Sequence, residues 1–583
     1  MSPDTSERLD VLCPAPHWIS ARDSSPEPPL PEHRDAYRLE VCDGAVTSVR
    51  SAQPPGRYYA DATMDQLRHL FGDAIPDLVI VDWPDIDTRG VMLDVSRKKA
   101  PTLETLELMI TRLAAMKINH VELYLEAMFA HPGHESVWKD RCAYSAADVE
   151  QLHRHATRHH VELLGQQNSL GHMEHWLADP RFAHLAVLPG GYTAPGSSGD
   201  SGHEPPACLD PSNPESFDLA AELVSNVALA FECPRVHVGL DEPIDMNTAV
   251  WDAIFDVPGA EAPWAGVDNG DFCVPLPPER RVQYMDWVRR LRVLSALDGR
   301  EMLMWADVMA PHPELIDQLP DGVTLVEWGY EASHPFDARC GRIAAAGRPF
   351  WVAPGTSGWS SISGRIPNMV ANVRASVEAA ATHGAAGMLV TSWGTHPDAI
   401  NWPGFLTGAA ASWNRSHGPQ LAASLDLAVG AEPDSGLGEA WCSIGTVHDL
   451  VSPSTPESGT ISELFRSSGM AGIGLALGGM TDAMLCEVDA ELERALGVIR
   501  AANGAAPDFE LIRAELDWST RCLRWGVGMA RHRLSWPTAP AVAWLREEHN
   551  HLVTEHERIW TARNRPCGLA DVTAELVGLL GGV

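Results

Sequence analysis

RVHVGLDEP (235–243) is the stretch on which the fold reading turns: a short apolar run that closes on a glycine and two consecutive acids. Seven further runs share its texture, namely VMLDV (91–95), HVELYLE (120–126), VELLGQ (161–166), EMLMWAD (301–307), VTLVEWG (323–329), PFWVAPG (349–355) and GMLVTSWG (387–394). Each has the length of a buried strand and is followed by polar or glycine-rich residues. Between them lie stretches with apolar residues at helical spacing, such as LETLELMITRLAAMK, AADVEQLHRHATRHH, RVQYMDWVRRLRVLSAL and VANVRASVEAAATHG. Eight strand–helix alternations over about 300 residues are the arithmetic of a (β/α)8 TIM barrel. A doubly wound open sheet would carry a glycine-rich phosphate turn after its first strand; here the first run is followed by SRKKAPT. The expected architecture is α/β, with the barrel at 89–415.

Outward from the barrel, residues 14–35 are rich in proline and charge and read as an extended segment. YRLEVCDGAVTSVRSA alternates around an Asp-Gly turn, the mark of a β-hairpin, and a helix and a strand follow. Residues 1–88 are therefore expected to form a small α/β domain. Beyond 415 the pattern is helical throughout, predicting a C-terminal helical domain over 416–583. The insertion GGYTAPGSSGDSGHEPP (190–206) reads as a long loop or a lid.

Composition narrows the function. The 583-residue chain is 45% hydrophobic and 21% charged with a net charge of −35, a field that repels nucleic-acid backbones and anionic membranes. The first twenty residues have early acids and no apolar core, and no window has the ~18 consecutive apolar residues of a spanning helix. Eleven scattered cysteines without CxxC pairs predict reduced thiols, a cytoplasmic location and no zinc ribbon. His153, His155, His159 and His160 read as a solvated helix face, so no metal or organic cofactor is expected. The oligomeric state is left open.

In a barrel of this kind, polar residues at the C-terminal strand ends face the active site. Those ends supply Glu126, Gln166, Asn168, Asp241, Glu242, Trp305, Asp307, Glu327, Trp328 and Trp393. Indole faces stack on the CH faces of pyranose rings while carboxylates and amides take the hydroxyls, so the set suits a carbohydrate. Of two adjacent acids, one kept protonated can serve as general acid while the other stays ionised.

RGVMLDVSR (89–97), HVGLDEP (237–243), WAD (305–307), VEWG (326–329), SWG (392–394) and RIWTARNRPCGL (558–569) resemble, in order and spacing, the family 20 glycoside hydrolases, the β-N-acetylhexosaminidases. YLEAMFAHPGHE (124–135) and NSLGHMEHWLADPRFAHL (168–185) resemble the hexosaminidase D branch. The resemblance implies exo-cleavage of a terminal β-linked GalNAc or GlcNAc from an oligosaccharide or small glycoside. In that scheme the 2-acetamido oxygen is the nucleophile, an exception to the two-carboxylate mechanism. It assigns Glu242 as general acid/base and Asp241 to the acetamide nitrogen. Arg89 would bind the outer hydroxyls, Trp305, Trp328 and Trp393 the ring and acetamide, and His172 the pocket. The family's usual Tyr-x-Asp after the seventh strand is replaced by APGTSGWSS (353–361), which leaves Trp359 or Tyr330 to stand in. Two alternatives stay open: a non-catalytic sugar-binding barrel, and an enzyme for a modified hexosamine.

Overall fold

A computed structural model describes residues 3–22, 26–193, 203–247, 273, 275–432, 435–451, 458–466 and 480–579. Strands β1 (Trp18–Ala21), β2 (Tyr37–Cys42), β3 (Ala45–Ser51) and β4 (Leu78–Asp82) form an antiparallel sheet in the order β1-β4-β2-β3. Asp43 and Gly44 both have positive φ, the backbone that a two-residue hairpin turn requires. The helix Pro54–Phe71 covers the sheet. The segment read as merely extended contributes β1, paired along its length with β4.

The barrel follows with β5 (Thr88–Asp94), β6 (His120–Tyr124) and β7 (Glu162–Gln166). After a short hairpin, β8 (Tyr192–Thr193) and β9 (His203–Glu204), come β10 (Arg235–His237), β11 (Glu301–Trp305) and β12 (Val323–Trp328). Then β13 (Phe350–Ala353) and β14 (Gly387–Ser392) complete the set, and β14 pairs with β5 to close a parallel barrel of eight strands. All eight runs read from the sequence are strands of it. Of the Gly/Ser-rich insertion, residues 194–202 lie outside the described residues.

Alternation along each strand sorts the side chains. Met92, Tyr124, Leu164, Leu303, Trp305, Val326, Trp351 and Leu389 pack together inside the barrel. The opposite faces join the large core shared with the surrounding helices. Four long or medium helices, Asp482–Ala501, Phe509–Arg533, Val542–Arg563 and Leu569–Gly578, dominate the C-terminal part. A buried ionic network docks them on the barrel: Arg563 pairs with Glu515 at 3.0 Å and Asp508 at 2.8 Å, and Asp508 also takes Arg112 of the first barrel helix. Lys99 pairs with Asp398 in the loop after β14. Among the described residues, no helix is long and apolar enough to cross a membrane.

Candidate active site

The acid pair stands where β10 runs out. Val238 and Gly239 continue the strand direction through hydrogen bonds to β11, from Val238 N to Leu303 O and from Trp305 N to Gly239 O, both 3.0 Å. The backbone then turns sharply: Gly239, Leu240 and Glu242 all have left-handed φ values of 70°, 75° and 42°. Strain of this kind persists only where the surroundings over-determine it. Here the Glu242 N–H donates to Asp307 Oδ2 at 3.0 Å, and the Leu240 carbonyl accepts from the Tyr284 hydroxyl at 3.0 Å. Gly171 lets the neighbouring loop come close, since a Cβ there would lie 2.5 Å from the Asp241 carbonyl oxygen.

That loop carries His172, whose Nε2 lies 3.3 Å from Asp241 Oδ2 and 3.3 Å from Glu242 Oε2. Burial opposes a charge on the ring, but the two carboxylates outweigh it and hold the imidazole well above its ordinary pKa. One cation thus bridges two acids. Asp307 is buried behind them, and burial, with the Asp241 charge added, pushes its carboxyl up to about 8. Asn168 Nδ2 donates to the Tyr124 hydroxyl at 3.1 Å and reaches Asp241 Oδ1 at 3.5 Å.

Above the acids opens a cavity of about 1040 Å³. Asp241, Glu242 and His172 line its floor with Tyr124, and Trp305, Trp328, Trp359, Trp393 and Tyr330 form aromatic walls. Tyr330 stacks on Trp328 with ring centroids 5.1 Å apart and meets Trp359 edge-on at 4.9 Å. Trp393 meets Tyr124 at 4.8 Å. With its amide turned, Gln166 accepts from Trp305 Nε1 at 2.7 Å and donates to Glu122 at 3.0 Å, fixing that indole from below. Arg97 also lines the cavity, its Nε 3.1 Å from Asp94 and its guanidinium over the Trp393 ring.

The structure brings together Asp241, Glu242, His172, Trp305, Trp328, Trp359 and Trp393 in one cavity. Other expected sugar contacts are corrected. Arg89 opens β5 at the far end from the mouth and is fully buried; its donors go to Asp35 at 2.8 Å and to the carbonyls of Ile86, Asp87 and Lys117. It anchors the small domain to the barrel floor. Glu327 follows the inward Val326 and precedes the inward Trp328, so period-two alternation turns it outward, where it binds His334 at 3.1 Å and Arg339 at 3.2 Å. Asp307 and Asn168 stand behind the cavity wall and hold its members in place. Glu126, with φ +48°, is buried beside the lining; burial, opposed by Arg97 and His172, pushes its carboxyl up to about 7. His155 and His159 of the histidine patch bind Thr111 and Tyr58 at 2.9 and 2.8 Å.

Sequence reasoning missed three contributors. Tyr124 was visible by parity, as the last inward-facing residue of β6. Arg97 lay inside a quoted motif but three residues beyond the strand end. Phe465, Trp518, Val572 and their neighbours from the C-terminal helices also line the cavity, and nothing local in the sequence marks them.

Paired acids under aromatic walls at the C-terminal mouth of a (β/α)8 barrel define a site of the glycoside hydrolase class. Residues 87–355 match the family model described as glycosyl hydrolase family 20, catalytic domain. Over those residues the barrel is similar to the catalytic domain of the family 20 glycoside hydrolases. The chain is 24% identical over 324 residues to human hexosaminidase D, a match covering 52% of this chain and 60% of that one. It is 22% identical over 210 residues to a lacto-N-biosidase of Bifidobacterium bifidum, covering 36% of this chain and 17% of that one. The chain thus spans less than two thirds of either relative. Among solved structures, a β-N-acetylhexosaminidase superposes with a TM-score of 0.52 at 19% identity, covering 69% of this chain and 90% of its own. The Streptomyces plicatus N-acetyl-β-hexosaminidase does so at 0.52 and 15%, covering 72% and 95%. At these identities the superpositions speak for the fold.

Proposed function

We propose that the barrel hydrolyses terminal β-linked N-acetylhexosaminides, GlcNAc or GalNAc, with retention and with the substrate's acetamide as nucleophile. The observation that carries this is the pairing of Asp241 and Glu242 on a strained strand end, bridged by His172 at 3.3 Å from each, beneath a cavity walled by tryptophans. Glu242 donates its proton to the glycosidic oxygen as the C1–O bond breaks. The acetamide carbonyl oxygen bonds to C1 as the leaving group departs, giving an oxazolinium ring. Asp241 accepts the acetamide N–H and stabilises the positive charge that develops there. Glu242 then takes a proton from water, which attacks C1, reopens the ring and restores the acetamide. His172 offsets the charge of the acid pair through this cycle, and the indoles hold the ring by stacking. The family match and the hexosaminidase D relative support the acetamido-sugar class.

The test uses 4-nitrophenyl β-GlcNAc, β-GalNAc and β-glucoside with the wild type, Glu242→Gln and Asp241→Asn. The acetamido sugars are expected to be cleaved and the glucoside not. Glu242→Gln should lose roughly 10²–10⁴-fold in kcat, the range for removing a general acid/base. Equal rates on the glucoside would overturn the assisted mechanism. Sugar binding without turnover of any glycoside would make the barrel a binding module.

A further inference from the structure

The cavity is larger than a single sugar site: at about 1040 Å³ it stands at the top of the ~300–1,000 Å³ range for small-molecule clefts. Its walls have two origins. The barrel supplies Asp241, Glu242 and the four indoles, whereas the helix Leu569–Gly578 supplies Val572, Leu576 and, just past its end, Leu579; Phe465 and Trp518 come from two other C-terminal helices, and the polar Ser458, Glu463 and His556 also border the cavity from this part of the chain. Spacing of i, i+4 and i+7 puts the three aliphatic residues on one face, and that face borders the cavity.

This helix is fixed to the loop that carries Arg97. Glu575 pairs with Lys98 at 3.0 Å, and Gly568, at φ +76°, lies against the Lys98 carbonyl so closely that a Cβ would stand 1.9 Å from its oxygen. The one acid this helix contributes to the cavity therefore already has its cation. Cleavage of a glycoside requires room on both sides of the broken bond, and the tryptophan-walled part accounts for the sugar only.

Resting on the proposed reaction, we infer that the C-terminal helices form the leaving-group subsite, and that this subsite takes an uncharged apolar aglycone, alkyl or aryl. The apolar helix face, with Glu575 paired to Lys98, offers methylene contacts, and the helix sequence LADVTAELVG holds no cation for an anionic aglycone.

Methyl and hexyl β-glycosides of GlcNAc and GalNAc test this, because the two leaving alcohols are of similar basicity and differ in apolar length. The wild type should favour the hexyl glycoside by at least about 10-fold in kcat/KM, the lower figure for one well-placed methylene in an apolar pocket. Glu242→Gln, titrated calorimetrically, should bind the hexyl glycoside more tightly by a comparable factor. In Leu579→Ser and in Val572→Ser the hexyl-to-methyl ratio should fall toward one; if either variant fails to fold, the other decides. Equal handling of the two glycosides by the wild type, or a hexyl preference that survives both substitutions, overturns the inference. If the wild type cleaves neither glycoside the proposed reaction fails, and the binding ratio in Glu242→Gln still judges the subsite.

Discussion

Asp307 offers the sharpest quantitative prediction, because its carboxyl is buried behind Asp241 and pushed up to about 8. Between an ordinary aspartate value of 3.8 in the unfolded chain and about 8 in the folded one, the folded state binds more protons. Stability must then fall as pH rises through that interval: the contribution is fully present below about 3.8 and is lost by about 8. Integrating from pH 5 to pH 8 gives a loss of roughly 3–4 kcal/mol from this group, at ~1.4 kcal/mol for each pH unit crossed. Asp307→Asn keeps an oxygen to accept the Glu242 N–H and cannot ionise, so it removes that loss. Urea denaturation of both proteins at pH 5, 6, 7 and 8 is the assay. The stability difference should move in favour of the variant by about that amount across the series, and the kcat/KM profile of the variant should hold up better on its alkaline side. Parallel stability curves would refute the reasoning, because they would mean that Asp307 is ionised in the folded protein throughout.

His172→Gln keeps a hydrogen-bond donor but removes the cation from between the acids. Its kcat should drop by ~10²-fold, as for loss of a group in the acid/base machinery, and its pH–rate profile should change on the alkaline side, where the imidazole whose pKa the two acids hold up no longer titrates. An unmoved profile would mean that the ring acts by shape alone. Arg89→Met leaves the buried Asp35 carboxylate with only the half-exposed Arg34 as its ion partner and should cost up to about 3 kcal/mol, the lower figure for breaking a buried pair, read as a lowered melting temperature. The KM of the folded variant should stay unchanged, and a raised KM would return Arg89 to the sugar site.

The barrel was legible because each strand is buried on both faces, so the apolar runs stand out from the helices between them. The acid pair was legible for the same reason: it ends such a run. What the sequence hid depended on direction and distance. Arg89 belongs to a family-like motif, yet it is the second residue of the seven-residue strand β5, at the end away from the mouth, and its guanidinium turns to Asp35 of the small domain. Glu327 sits next to an indole of the wall, but adjacent residues on a strand face opposite ways. Asp307 has the position of a sugar contact at a strand end and instead props the backbone of Glu242, a role set by one hydrogen bond between the ends of the neighbouring strands β10 and β11. Helix Leu569–Gly578 meets the mouth far along the chain from Lys98, with Lys98 and Glu575 separated by 477 positions. No local pattern announces such a pairing.

The idea that the substrate supplies its own nucleophile can be tested with a thiazoline analogue of the cyclised sugar. Its dissociation constants are to be measured against those of free GlcNAc and GalNAc, for the wild type and Asp241→Asn. The wild type should bind the analogue at least ~10²-fold more tightly than the matching sugar, as expected for a mimic of the reactive state, and Asp241→Asn should lose most of that advantage. A thiazoline that binds no better than the free sugar, or equally well without the Asp241 carboxylate, would contradict it.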